Sequence, residues 1–98
     1  MNRYQTGEKA EPRAHVDIAL EPPCQLIVWN DDVNTFDWVI DTLVKLCGHT
    51  QEQAEQCAYL IHFGGKHAVK QGYYEELKPV CEAILDRSIQ ATLEVAAE

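Results

Sequence analysis

From Gln25 to Val95 the apolar residues switch repeatedly between strand spacing and helix spacing, and the order of those switches fixes the fold class. Gln25-Leu26-Ile27-Val28-Trp29 is a run of strand-forming residues, halted by the polar cluster Asn30-Asp31-Asp32-Val33-Asn34. From Phe36 the apolar positions fall three and four apart, at Phe36, Val39, Ile40, Leu43 and Cys47, which places them on one face of a helix. Asn34 or Thr35 is suited to cap it, Asp37 places an acid in its first turn, and Gly48 suits the left-handed residue past its end. Thr50 with Gln53 three residues on is a capping-box pattern, opening a second helix whose buried face holds Ala54, Cys57, Ala58 and Ile61 and which Gly64-Gly65 stops.

Lys66 to Gln71 reads as a short strand ended by Gly72. A third helix carries Leu77, Val80, Cys81, Ile84 and Leu85 on one face. Because Pro79 lacks the N–H of an interior position, that helix is expected to begin no earlier than about Glu75 or Glu76. Ile89 to Val95 alternates apolar and polar residues, as a half-buried antiparallel strand does. The expected architecture is a small α+β domain of order β-α-α-β-α-β, a three-stranded antiparallel sheet with three helices on one face. Residues 1–23, which end in Glu21-Pro22-Pro23 and hold few large apolar groups, read as a flexible N-terminal extension, leaving 24–98 as the folded domain.

Charge narrows the partners. Sixteen acidic residues against eight Lys and Arg give a net charge of −8, the wrong sign for gathering nucleic-acid phosphates or an anionic membrane surface. No apolar run approaches the roughly 20 residues needed to span a bilayer, and the N-terminal residues lack the apolar core of a signal peptide, so an intracellular protein is expected. The four cysteines, Cys24, Cys47, Cys57 and Cys81, form no CxxC pair for zinc or redox chemistry and read as small buried hydrophobes. His15, His49 and His67 have no partners by spacing, so no metal and no cofactor is expected; Trp29 and Trp38 read as packing residues.

Two polar features interrupt these ordinary core segments: Asn30-Asp31-Asp32 where the first strand ends, and His62 at the end of the second helix, before Gly64-Gly65-Lys66. Asn offers a carbonyl oxygen, Asp a carboxylate and neutral His one lone pair, which together suit a group with three N–H donors, such as an ammonium. Each also has an ordinary reading, the loop as a turn and cap, the imidazole as a satisfied structural histidine.

The ordered set Val28-Trp29-Asn30-Asp31-Asp32-Val33-Asn34-Thr35-Phe36, followed some thirty residues on by His62-Phe63-Gly64-Gly65-Lys66, resembles the ClpS family of bacterial adaptor proteins over about residues 25 to 95. The resemblance implies a cytoplasmic, non-enzymatic adaptor. It would bind N-degron substrates with a bulky hydrophobic first residue (Leu, Phe, Tyr or Trp) and deliver them, as a monomer, to a ClpA-type AAA+ unfoldase that feeds a ClpP-type peptidase. Carried over by position, Asn30, Asp31 and His62 bind the substrate α-amino group, with Asp32 and Asn34 supporting the loop. Val28, Phe36, Val39, Ile61 and Ile89 line the side-chain pocket, and residues 1–23 match the extension that engages the unfoldase. Phe36 stands where many members carry methionine, and a rigid aromatic there is expected to exclude β-branched first residues. Two other readings stay open: a small hydrolase pairing a cysteine with His62, and a structural protein-interaction domain.

Overall fold

A computed structural model describes residues 22–96 and places six elements in the expected order. These are β1 (Cys24–Trp29), α1 (Phe36–Cys47), α2 (Gln51–Gly64), β2 (Lys66–Gly72), α3 (Tyr74–Asp86) and β3 (Ala91–Val95). The sheet runs β2-β1-β3 with both pairings antiparallel, so the first strand is the central one. Cys24, Leu26 and Val28 point from β1 into a single core that Leu43, Ala54, Ile61, Leu77 and Ile84 fill from the three helices. Gln25, Ile27 and Trp29 alternate onto the other face, where Trp29 donates to the Thr92 hydroxyl at 2.9 Å and the Lys66 ammonium sits over its ring.

Local signals fix the helix ends. Thr35, not Asn34, caps α1, its hydroxyl accepting from the Trp38 N–H at 3.1 Å; Gly48 closes it at φ 71°. Thr50 and Gln53 form the full capping box of α2, which Gly65 ends at φ 91°. In this left-handed region a residue with a Cβ is strained, which accounts for both glycines.

Four details differ from the sequence expectations. α3 begins at Tyr74 and takes Pro79 into its interior, because Leu77 is buried in the core and the Tyr73 carbonyl accepts from both Glu76 and Leu77, holding the first turn against the missing proline donor. The strand expected from Ile89 starts at Ala91: Ser88 turns through φ 67° and Ile89 still donates to the Ile84 carbonyl, so the chain has not yet left the helix end. β2 carries a bulge, since Leu26 pairs with Lys70 and Ile27 with Ala68; the skipped Val69 carbonyl accepts from His49 Nε2 at 2.8 Å, which gives that histidine its partner. Trp38 is 41% exposed instead of packed, because its ring lies under the Arg87 guanidinium at 4.0 Å.

The expected extension over residues 1–23 falls, up to residue 21, outside the described residues. The Pro23 carbonyl accepts from Ala96 at 2.9 Å, so the sheet hydrogen bonding reaches one residue ahead of β1.

Candidate functional site

The loop between β1 and α1 is held at its base from two sides. Trp29 donates to the Gln90 carbonyl at 3.0 Å, and Asn30 donates to the Gly65 carbonyl at 2.9 Å, tying the loop to the start of β3 and to the end of α2. The second bond brings the loop beside His62, which lies three residues before Gly65 on the last turn of α2. The β1–β2 ladder, in which Trp29 pairs with Lys66, prepares the same approach.

Asp31 organises the loop from within. Its Oδ1 accepts from the backbone N–H groups of Val33 at 2.8 Å and Asn34 at 2.7 Å, while Oδ2 accepts from the Asn34 side-chain amide at 2.7 Å. The Asn34 backbone donor is the main cause that holds the Asp31 carboxyl below its ordinary value; the Asn34 amide and Val33 N–H act in the same direction and partial desolvation opposes them. The second N–H of the Asn34 amide reaches the Ser88 carbonyl at 2.9 Å. Asp32 makes no side-chain hydrogen bond among the described residues and is exposed, leaving a whole carboxylate facing solvent at the loop tip.

Asn30, Asp31, Asp32, Asn34 and His62 all line one cleft of about 570 Å³. Its other walls are aromatic: Phe36, Tyr59 and Phe63. The His62 ring is flanked edge-on by Phe36 at 5.3 Å and Phe63 at 4.6 Å, and Phe63 leans on Tyr59 at 4.5 Å. The cleft therefore sets hydrogen-bond acceptors and a negative loop against an apolar wall, the arrangement that suits a ligand carrying a cation beside a large hydrophobic group.

The remaining residues expected in the side-chain pocket are not part of this cleft's lining. Val28 and Ile61 are buried in the core and Val39 packs half-buried against it. Ile89 is also buried and borders a second cleft of about 380 Å³ on the far side of the loop, which Asp31 and Asn34 share. Tyr59 and Phe63 were not among the expected site residues. They are 52% and 67% exposed and lie one helical turn apart, off the face that buries Ala54, Ala58 and Ile61, so two aromatic residues on the polar side of α2 were the available signal.

Three of the four thiols are set against the hydrolase reading. Desolvation raises all of Cys47, Cys57 and Cys81, Cys47 to about 11, whereas a reactive cysteine needs a stabilised thiolate. Among the described residues no group of three or more His, Cys, Asp or Glu could hold a metal ion, and no helix is long and apolar enough to cross a membrane.

Fold and cleft together define the class: a small α+β domain with a polar and aromatic groove at the end of its central strand. The chain belongs to the ClpS family, whose model, described as ATP-dependent Clp protease adaptor protein ClpS, matches residues 19–96. Members of this family are adaptors and not enzymes. The ATP-dependent Clp protease adapter protein ClpS of Salmonella gallinarum is 38% identical over 50 residues, a stretch of 49% of this chain and 47% of that protein, so the match spans about half the length of the curated relative. The solved structure of Agrobacterium tumefaciens ClpS2 bound to L-phenylalaninamide superposes with a TM-score of 0.74 at 14% identity, covering 76% of this chain and 98% of the other, a likeness of fold.

Proposed function

We propose that this chain is an adaptor that holds proteins by a bulky hydrophobic N-terminal residue and delivers them to a ClpA-type AAA+ unfoldase for degradation by a ClpP-type peptidase. The observation that carries the reading is the single cleft in which Asn30, Asp31, Asp32 and His62 face Phe36, Tyr59 and Phe63. A protein N-terminus presents the complementary pair, an ammonium with three N–H donors on the same α-carbon as the side chain. The ligand in the Agrobacterium structure, L-phenylalaninamide, has the same two parts, an α-amine and a benzyl group.

In this reading Asn30 and His62 supply neutral acceptors and the loop supplies charge. Asp31 Oδ1 is already taken by two backbone donors, so its direct contribution comes from the open lone pair on Oδ2 and its longer-range field. Asp32, without an internal partner among the described residues, is free to turn toward the ammonium or the first peptide group. Phe36, Tyr59 and Phe63 cover the side chain, and Val28, Val39, Ile61 and Ile89 are the residues proposed for its apolar floor.

Burying a Leu or Phe side chain is worth about 1.5–3 kcal/mol, which is roughly tenfold or more in affinity. Peptides differing only at position one are therefore expected to bind in two groups by fluorescence anisotropy: Phe, Leu, Tyr and Trp at least about tenfold tighter than Ala. Leu should also exceed Ile, because the rigid Phe36 ring leaves little room for branching at Cβ. An alanine-first peptide matching the phenylalanine one contradicts the side-chain half of the proposal, and equal binding of Ile and Leu contradicts the role of Phe36.

A further inference from the structure

Behind the cleft, α1 and the turn from α3 to β3 are joined by a compact clasp. The Arg87 guanidinium lies over the Trp38 ring at 4.0 Å and pairs with the Asp41 carboxylate at 2.6 Å. In return the Trp38 indole N–H donates to the Arg87 backbone carbonyl at 3.0 Å. Two side chains on α1, one turn apart, thus hold both the backbone and the side chain of Arg87. The next residue, Ser88, takes φ 67°, a left-handed conformation that a serine adopts only when its neighbours are fixed. That conformation accompanies the placing of the Ser88 carbonyl 2.9 Å from the Asn34 amide, whose other contact is Asp31 Oδ2.

We propose that the Trp38–Arg87 clasp is a positioning device for the amine-binding loop, acting through the Ser88 carbonyl and the Asn34 amide on the Asp31 carboxylate. This inference rests on the reading that the loop binds an ammonium. An amide nitrogen has only two N–H donors, and both of Asn34 are used along this line, so the carboxamide plane is set jointly by a carbonyl 54 positions away in sequence and by the carboxylate it serves. The loop tip has no comparable tie: Asp32 makes no side-chain hydrogen bond among the described residues and Val33 is exposed. Releasing the clasp lets the turn relax, withdraws the Ser88 acceptor and leaves the Asn34 amide free to rotate away from Asp31. Arg87, Trp38 and Ser88 touch no ligand in this account; they act only on how well Asp31 is held in place.

A double-mutant cycle on the full chain tests the line of contacts. The probe is a fluorescent peptide beginning with Phe, with its N-acetylated twin as control. With Asn34 present, Arg87→Ala is expected to weaken the free-amine peptide about fivefold; with Asn34→Ala in place, the same change should weaken it less than about twofold, because the relay is already cut. Trp38→Phe, which keeps a ring under the guanidinium but removes the indole donor, should follow the same pattern with a smaller effect, and is the variant to use if Arg87→Ala fails to fold. Arg87→Lys keeps the charge facing Asp41 but not the planar stack, and should restore only part of the affinity. A purely structural clasp predicts equal losses in both backgrounds, and that additive result overturns the relay, as does no loss in either. Wild-type protein that fails to distinguish the free-amine peptide from its acetylated twin overturns the amine reading itself, a different failure from additivity.

Discussion

Asp31→Ala is expected to weaken binding of a Phe-first peptide by roughly 30-fold, about 2 kcal/mol, because one change removes both a negative charge beside the ammonium and three hydrogen bonds that shape the loop. The figure is kept at the low end of what losing a charged partner costs, since the loop is open to solvent and its field is screened. Asp31→Asn should be intermediate: its amide oxygen can still accept from the Val33 and Asn34 backbones, but its NH2 group then confronts the Asn34 NH2 donor where a carboxylate oxygen had accepted. Wild-type affinity in Asp31→Ala contradicts the account of the loop.

The same carboxylate has a pH signature. Its folded-state value lies below the ordinary 3.8, so the stabilisation it gives the loop is present above that value and is lost as pH falls through the lowered one. Stability of the wild-type protein should fall on that acid limb, and Asp31→Ala should flatten the fall.

A second large effect concerns the sheet. Leu26 is 0% exposed at the middle of the central strand and belongs to the single core shared by all three helices. Leu26→Ala is expected to lower unfolding free energy by about 2–5 kcal/mol, against a total for a small domain of about 5–15 kcal/mol. In urea the midpoint should drop steeply with an unchanged slope. Ile27, one residue on, is 6% exposed but points to the opposite face and lies outside that core, so Ile27→Ala should cost markedly less. Equal losses at the two positions contradict the one-sided core.

The order of elements was legible because each change of hydrophobic period coincides with a capping or turn residue: Thr35, Gly48, Thr50 with Gln53, and Gly65. What escaped were features decided across the fold. Pro79 argues locally for a late start to α3, yet burial of Leu77 overrides it; nothing near Val69 announces a bulge, whose freed carbonyl finds its donor at His49, twenty residues away. Strand pattern and helical spacing identify Val28, Ile61 and Ile89 as inward-facing, but an inward residue can floor a binding pocket or fill a core, and spacing does not tell which. The polar loop and His62 stood out as interruptions of apolar segments. Their convergence depends on the β1–β2 pairing, which the Asn30 to Gly65 bond extends, and the Trp38–Arg87 clasp joins positions whose spacing follows no period.

The central claim is that the cleft reads a free amine together with a large side chain. Its most direct measurement is the affinity of one Phe-first peptide with its α-amine free and with that amine acetylated, at neutral pH and the same ionic strength. Acetylation removes the charge and two of the three donors while leaving the benzyl group intact, and should weaken binding by about 30-fold or more, at least 2 kcal/mol. Equal affinity for the two peptides would contradict the account.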